Sequence, residues 1–565
     1  MGNNDKNRYD AIVVGTGISG GWAAKELCEK GLKTLVLERG RNVEHIKGYD
    51  DMKPNWELPH RGRITNEDRK NSPIQSGVYN YNERSKKYFV NDLDNPYIQV
   101  KPFEWARGYQ VGGRSLIWGR QSYRRSDLDF EANARDGFGV DWPIRYKDIA
   151  PWYDYIEPFV GISGSYEGLP HLPDSKFQPP MEMNCVEREV AQRIKGKFAD
   201  GRMIINGRTA NHTLDMGEGR GRCQYKGSCG AGHACSFGAY FSSNSATLPA
   251  AARTGNMTLR PFSMVQEVYY DKEKKRATGV RVVDTETMKQ YDFFAKIIFL
   301  NASTLNTAAI LLNSKSEVFP NGLGNSSGHL GHNLMDMPYG MGAQGTYEGF
   351  EDKLTFGSRP TGIFVPRFRN INKSTQRKDY VRGFTYQGGA GRGRAGGGPG
   401  FGAEFKDSLK KPADHWTMSI AAWAEHLPYY ENKMYLHEEK KDKYGMPVIC
   451  VDCEFKENEA AMVDDMMNSA AEILEAGGLK NVKTFNRNKI PGACIHETGT
   501  ARMGNDPKTS VLNRWNQMHD VPNIFITDGS AMCSSGTTPG PSITYMALTA
   551  RSIDYAVKEL NKRNL

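Results

Sequence analysis

Residues 9–39 read YDAIVVGTGISGGWAAKELCEKGLKTLVLER, and this stretch decides which fold the chain is expected to adopt. A buried strand is predicted to enter a glycine turn, which is followed by a helix and a second strand. Gly15 allows the tight turn, Gly17 lets the backbone approach a pyrophosphate, and Gly20 lets the helix pack closely on the strand. Glu38 ends the second strand at the distance where an acid holds ribose hydroxyls. The stretch therefore predicts a dinucleotide site in an α/β fold with a doubly wound sheet.

The composition limits the classes of protein to consider. The chain has 565 residues, of which 38% are hydrophobic and 25% charged, and this is typical of a globular protein with two domains or one large insertion. The net charge of +9 is spread along the chain without a dense block of Lys and Arg, which argues against nucleic acid as a partner. No apolar run approaches the roughly 18 residues that span a bilayer, so no membrane span is expected.

The start of the chain bears on localisation. MGNNDKNRYDAIVV has no basic region followed by an apolar stretch and a cleavage site, so it does not read as a secretory signal. The absence of a signal predicts the cytoplasm. Export to the periplasm together with a partner that carries a signal stays open.

Two glycine-rich stretches stand out in the middle of the chain. Residues 105–120 read WARGYQVGGRSLIWGR, and adjacent glycines followed by a serine indicate another close approach of backbone to a ligand. Residues 387–402, QGGAGRGRAGGGPGFG, lack the side chains needed to pack a core. They are interpreted as a surface loop or as a loop near the mouth of a substrate site.

Together these motifs resemble those of the glucose–methanol–choline (GMC) family of FAD oxidoreductases. The resemblance is carried by VGTGISGG and LERG, by RGYQVGGRSLIWGR, by IHETGTARMG at 495–504, by NIFITDGSAM at 523–532 and by ITYMALTARS in the last helix. These segments lie at both ends and in the middle of the chain, so the resemblance covers nearly the whole chain. Residues 112–153, which begin within the second signature, are similar to a bacterial branch that oxidises glucosides and related sugars, often at C3.

The resemblance implies a fold and a cofactor. The fold would be a doubly wound, Rossmann-like FAD-binding domain plus a substrate domain with an antiparallel sheet and helices. The first would comprise residues 1–45, 100–135, 205–330 and 488–565, and the second residues 46–99, 136–204 and 331–487. The residues expected to bind FAD are Gly15, Gly17, Gly20, Glu38, Arg39, Gly112, Gly113, Ser115, Trp118, Val265, Asp528 and Gly529.

The resemblance also implies a catalytic base. Alcohol oxidation needs a base for the hydroxyl proton and an acceptor for the hydride, which in this family is N5 of the flavin. A neutral histidine suits the first task, and the family pattern assigns it to His496. Because neighbouring residues in an extended strand face opposite ways, Glu497 is not expected to be its partner.

The family usually adds a second histidine or asparagine before the last helix, and that position falls on Gly540. Glycine has no side chain, so this function is expected to be missing or moved. Thr538 and Ser542 are nearby hydroxyls that could hydrogen-bond a sugar. Gln121 and His426 are the predicted substrate residues, and Trp118, Arg120 and Tyr123 are further candidates for the pocket wall.

Three of the nine cysteines lie close together in CQYKGSCGAGHAC, residues 223–235. Cys223, Cys229 and Cys235 are compatible with an iron–sulfur cluster, which some sugar dehydrogenases of the family carry in this region. A zinc site with His233, a disulfide with one spare thiol, and free cysteines are the alternatives.

The leading functional hypothesis is an FAD-dependent dehydrogenase of a pyranose sugar or glycoside. Its electrons would pass to a cytochrome, quinone or dye, through a small partner subunit where one is present. The alternatives are an oxidase that uses oxygen, a lyase with a structural flavin, and a flavoprotein without redox activity because the second catalytic residue is lost at Gly540.

Overall fold

The structure is a computed structural model that describes residues 7–49, 52–226, 235–355, 357–393 and 400–565. In chain order the strands are β1 Arg8–Val14, β2 Thr34–Leu37, β3 Ile98–Gln99, β4 Ile162–Ser163, β5 Phe177–Gln178, β6 Ile205–Asn206, β7 Met257–Arg260, β8 Ser263–Asp271, β9 Arg276–Asp284, β10 Gln290–Leu300, β11 Tyr339–Tyr347, β12 Ile363–Val365, β13 Phe384–Gly391, β14 Trp416–Ala424, β15 Lys433–Lys441, β16 Pro447–Asp452, β17 Lys480–Asn486 and β18 Ile524–Ile526. The α-helices are α1 Ile18–Glu29, α2 Asn66–Asn71, α3 Asp127–Phe130, α4 Ala132–Asp136, α5 Tyr146–Val160, α6 Cys185–Ile194, α7 Leu248–Arg253, α8 Thr304–Asn313, α9 Gly402–Ser408, α10 Glu457–Ala476 and α11 Ser542–Asn561.

The first sheet has the strand order β7-β2-β1-β10-β9-β8, and β18 also pairs with β10. The pairs β7–β2, β2–β1, β1–β10 and β10–β18 are parallel, whereas β9 is antiparallel to both of its neighbours. β2 and the second half of β1 are fully buried, as expected for parallel strands that are covered on both faces. The α/β fold with a doubly wound dinucleotide-binding sheet is therefore confirmed.

The second sheet has the order β17-β11-β14-β13-β12-β6, and all of its pairs are antiparallel. Helix α10 covers this sheet, and its Met462, Met466 and Ile473 share one apolar core with Met418 and Ile420 of β14. The predicted antiparallel sheet with helices is thus present. Strand β6 belongs to it, although the expected boundary begins an FAD-binding segment at residue 205.

The interpretation of residues 387–402 as a loop is wrong for their first part, which lies in β13. A Cβ on Gly388 would lie 2.0 Å from the carbonyl oxygen of Ser419 on the neighbouring strand. Glycine therefore permits a close strand contact at this position. Residues 394–399 lie outside the described residues.

None of the helices within the described ranges is long and apolar enough to cross a bilayer.

Candidate active site

A cavity of about 970 Å³ contacts both sheets. The glycine turn after β1 and the end of β2 line one part of it, and side chains of β13 and β14 line another. A volume of this size is at the upper end of the range for cofactor and ligand pockets. The cavity therefore has room for a dinucleotide and a small substrate.

The glycine turn forms a cradle for a pyrophosphate. Gly15 has a φ of +96°, and a Cβ there would lie 2.3 Å from the carbonyl oxygen of Asn301. A Cβ on Gly20 would lie 2.0 Å from the carbonyl oxygen of Gly15, so Gly20 packs behind the cavity. Gly17 has no atom within 4 Å of its Cβ position and lines the cavity, so a phosphate could approach its backbone at the start of α1.

The adjacent glycines of the second motif, Gly112 and Gly113, pack against the glycine turn that follows β1. A Cβ on Gly113 would lie 3.2 Å from the Cα of Gly17, and the N–H of Gly112 donates to the Thr16 hydroxyl over 2.9 Å. The same hydroxyl donates to the Glu38 carboxylate over 2.6 Å. One hydrogen-bonded chain thus joins both glycine motifs to the predicted ribose acid, whose pKa is raised by burial.

Most of the other residues predicted to bind the cofactor also line the cavity. These are Glu38, Arg39, Gly113, Ser115, Trp118, Val265, Asp528 and Gly529, whereas Gly112, like Gly20, lies behind the lining. The buried side-chain nitrogen Nδ2 of Asn301, another lining residue, has no hydrogen-bond partner among the described residues. An open glycine cradle, a terminal acid and an orphaned donor fit a dinucleotide such as FAD.

His496 lines the same cavity and is held by its backbone. Its N–H donates to Asp336 Oδ1 over 2.9 Å, and its ring nitrogen Nδ1 lies 3.2 Å from the Sγ of Cys494. Burial, together with the guanidinium charges of Arg114 and Arg125, lowers the pKa of His496 to about 3. The imidazole is therefore neutral near pH 7 and able to accept a proton.

Asp336 positions this loop, and no sequence motif pointed to it. Its Oδ2 accepts the N–H groups of Gly492 and Cys494 over 2.8 and 3.1 Å, in addition to the bond from His496 to Oδ1. Asp336 is fully buried, and burial, reinforced by the charge of Glu497, raises its pKa to about 7. The carboxyl group of Asp336 thus fixes the backbone conformation of the loop that carries His496.

Glu497 does not face His496. Its carboxylate receives two hydrogen bonds from Nη1 of Arg114, at 2.8 and 3.1 Å, and its side chain is 1% exposed. Arg114 follows Gly113 in the second glycine motif. This ion pair, whose carboxylate is buried, therefore connects the cofactor cradle to the histidine segment.

Gly540 lines the cavity, but it offers no space for a side chain. Its φ is +82°, and a Cβ there would lie 2.4 Å from the carbonyl oxygen of Gln121. The main chain of Gln121 therefore occupies the volume in which a second catalytic side chain would begin.

The other residues predicted for catalysis and substrate binding do not all line the cavity. Gln121 lines the cavity, but Thr538 and His426 are buried and do not line it. Nδ1 of His426 accepts the backbone N–H of Asp336, and Nε2 lies 3.1 Å from the carbonyl oxygen of Glu454. Both ring nitrogens of His426 therefore bond the backbone behind the site, so its contacts are with protein.

The comparison with protein families decides the classification. A family model described as GMC oxidoreductase matches residues 9–339, and a second model with the same description matches residues 428–549. The chain belongs to the GMC oxidoreductase family. It is accordingly an FAD-dependent oxidoreductase that acts on CH–OH groups.

Several GMC relatives align over nearly their whole length. The chain is 28% identical to 2-methyl-1,2-propanediol dehydrogenase of Mycolicibacterium austroafricanum, covering 97% of this chain and 95% of that one. It is 26% identical to the gluconate 2-dehydrogenase flavoprotein of Pantoea cypripedii, covering 99% and 95%. It is 24% identical to the fructose dehydrogenase large subunit of Gluconobacter japonicus, covering 99% of both.

The fold is also similar to that of a solved structure. Pyridoxine 4-oxidase from Mesorbium loti superposes with a TM-score of 0.56 at 14% sequence identity, covering 97% of this chain and 99% of that one. At this identity the likeness supports the GMC fold alone.

The cysteine cluster lies beside a smaller cavity of about 190 Å³. Cys223 and Cys235 line it, as does Arg120, which also reaches the main cavity. Cys229 lies outside the described residues. Within the described ranges no group of three or more His, Cys, Asp or Glu is arranged to hold a metal ion, so the iron–sulfur cluster stays a prediction.

Proposed function

We propose that this GMC oxidoreductase oxidises a ring hydroxyl of a pyranose sugar or glycoside, at C3, with His496 as the base. The proposal is carried by one observation. A neutral histidine, held by a buried carboxylate, lines the same cavity as a complete dinucleotide cradle. The relatives named for gluconate and fructose oxidation favour a sugar as the substrate.

We propose that Nε2 of His496 takes the proton, in the tautomer that carries its hydrogen on Nδ1. Nδ1 faces the Cys494 sulfur, whose thiol keeps its proton because burial raises its pKa well above the usual value. In this tautomer the sulfur accepts the hydrogen of Nδ1, and Nε2 keeps its lone pair for the substrate hydroxyl. FAD, when bound, supplies the acceptor for the hydride that leaves the carbon bearing this hydroxyl.

The other residues of the site orient the substrate and keep the base in place. Asp336 fixes the main chain of the histidine loop, which limits the movement of the imidazole relative to the cavity. Trp118 and Gln121 supply an aromatic face and an amide on the cavity wall. Holding the hydroxyl near the base in this way supplies a rate contribution separate from the proton transfer itself.

The test is anaerobic reduction of the flavin, followed through loss of its visible absorbance. Methyl glucoside and its 2-deoxy analogue should bleach the flavin, whereas the 3-deoxy and 3-O-methyl analogues should not. Replacement of His496 by Gln, which keeps a similar size and polarity, should slow bleaching by about 10²–10⁴-fold. Unchanged bleaching in His496→Gln, or equal bleaching by the 3-deoxy analogue, would contradict the proposal.

The electron acceptor is the second part of the proposal. We propose an external acceptor, a cytochrome, quinone or dye, reached through a small partner subunit. An oxygen-using oxidase is the second candidate, because paromamine 6'-oxidase of Streptomyces fradiae is 23% identical over 99% of this chain. Reoxidation of the reduced flavin by air at the rate of turnover, with formation of hydrogen peroxide, would favour the oxidase.

Localisation in the cytoplasm, or in the periplasm with a signal-bearing partner, stays a prediction.

A further inference from the structure

The substrate side of the cavity carries two positive charges without acidic partners. Arg487 and Lys489 follow β17 directly and line the cavity. Neither forms an ion pair with any residue in the described ranges, although the guanidinium of Arg487 lies 5.1 Å from the Phe485 ring centroid. Arg487 is exposed and Lys489 is half-buried, so both charges remain open to a ligand at the cavity.

A series of contacts connects these charges to the catalytic histidine. The Cβ position of Gly340 lies 3.3 Å from Cβ of Arg487 and 3.6 Å from Cγ of Lys489. The preceding residue, Tyr339, stacks on Trp423 with ring centroids 5.9 Å apart. Trp423 in turn lies close enough to Cys494 to oppose the rise that burial causes in the pKa of its thiol, and the sulfur of Cys494 contacts the His496 ring.

The acidic groups of the cavity lining are already engaged. Glu497 pairs with Arg114, and Glu38 and Asp528 accept hydrogen bonds from threonine hydroxyls near the glycine cradle. Asp442, the fourth acidic lining residue, accepts backbone N–H groups of its own turn. Glu104 approaches Tyr339 but does not line the cavity. Among the described residues, the two cations therefore have no counter-charge on the wall that they share with Tyr339 and Trp423.

We propose that the substrate is an anionic sugar, whose carboxylate or phosphate binds Arg487 and Lys489 while a ring hydroxyl faces His496. This inference rests on the proposed function. Two uncompensated cations beside a partly enclosed site attract an anion and fix its orientation through charge-assisted hydrogen bonds. A neutral glycoside gains neither effect and leaves both charges facing water.

The test compares three substrates that differ only at C6. These are methyl glucoside, its uronic acid and its 6-phosphate, and kcat/KM is measured for anaerobic flavin reduction by each. The wild-type protein should prefer at least one of the two anions by about tenfold or more, as expected for a charged hydrogen-bonded contact. Preference for the uronic acid would indicate that the site binds a carboxylate, and preference for the 6-phosphate would indicate that it binds a phosphate. The preference should weaken as the ionic strength rises, because salt screens exposed charges.

Substitutions then assign the preference to the two residues. The double variant Arg487→Gln with Lys489→Gln should lose the anion preference. Lys483→Gln is the matched control, because Lys483 is an exposed lysine of β17 that does not line the cavity, and it should keep the preference. A second readout is reoxidation of the flavin by an added dye.

Each outcome separates this inference from the proposed function. Flavin reduction by methyl glucoside without any preference for the anions overturns the inference alone. The inference is also overturned if the double variant keeps the preference for the anions. It is overturned as well if the double variant slows reoxidation of the flavin by the dye and leaves flavin reduction unchanged, because the cations would then serve the electron acceptor. Reduction by none of the three substrates refutes the proposed function, and the inference with it.

Discussion

Placing a side chain at Gly540 is expected to damage the protein rather than to complete its active site. The family position before the last helix usually carries a histidine or asparagine. Here the residue has a φ of +82°, and a Cβ would lie 2.4 Å from the carbonyl oxygen of Gln121 and 3.1 Å from its carbonyl carbon and Cβ. Two of these three atoms belong to the main chain, so the contact cannot be relieved by a change of rotamer.

The expected loss of folding stability has two contributions. A residue other than glycine in the left-handed region costs about 1–2 kcal/mol. Overpacking a well-filled site adds about 1–3 kcal/mol, because main chain must shift. Gly540→Ala should therefore destabilise the folded protein by about 2–5 kcal/mol. Gly137→Ala separates the two contributions, since Gly137 has a φ of +77° but no atom within 4 Å of its Cβ position.

The assay compares thermal unfolding of the FAD-bound variants, with loss of kcat/KM as a second measurement. Gly137→Ala should lower the midpoint slightly, and Gly540→Ala should lower it further by the steric contribution. Gly540→Asn should behave like Gly540→Ala, even though asparagine tolerates a positive φ better than alanine. The reasoning is refuted if Gly540→Ala is as stable as Gly137→Ala, or if Gly540→Asn raises kcat/KM.

Three further predictions follow from the histidine loop and its supports. Because the pKa of His496 is lowered to about 3, titration of its imidazole should not lower kcat/KM as the pH decreases through 6.5; an acid limb between pH 6 and 7 that persists in Asp336→Asn and vanishes in His496→Gln would contradict this. Asp336→Asn should lower kcat more than it changes KM while FAD content is retained, because one amide group cannot accept all three backbone N–H groups; a wild-type kcat would show that the loop does not depend on the carboxylate. Arg114→Met should cost about 3–5 kcal/mol of stability by leaving the buried Glu497 charge unpaired, whereas Glu497→Leu should cost less because the Arg114 side chain is 26% exposed, and the double variant should lose less than the sum; a double loss equal to the sum would mean that the pair is not coupled.

The parts of the fold that depend on local spacing could be predicted from the sequence. The strand, the glycine turn, the helix and the second strand with its terminal acid lie within one short stretch, where each residue type has a local physical role. The family resemblance extended this to the antiparallel second sheet. A loop was predicted for residues 387–391 because glycines lack the side chains that pack a core, whereas in the strand the close approach of the Ser419 backbone requires glycine at Gly388.

The parts of the site that depend on distant residues could not be predicted in this way. Asp336 bonds backbone N–H groups 156 to 160 residues further along the chain, and no local pattern marks such an acceptor. His426 was expected to contact substrate because histidine suits a polar pocket. Its hydrogen bonds to backbone groups behind the cavity arise from tertiary packing, which a single sequence does not reveal.

Gly540 and Asp336 together favour an altered site over an inactive one. A catalytic side chain lost by decay would leave an empty space, but here the backbone of Gln121 fills that volume and the glycine conformation accommodates it. Asp336 is a fully buried carboxyl group, and burial raises its pKa to about 7, so its ionisation makes folding less favourable as the pH rises from the usual carboxyl range towards 7. Its three hydrogen bonds all hold the loop of His496. A buried carboxyl group whose charge is disfavoured, and whose hydrogen bonds hold the loop of the base, is best explained by a site that still uses that base.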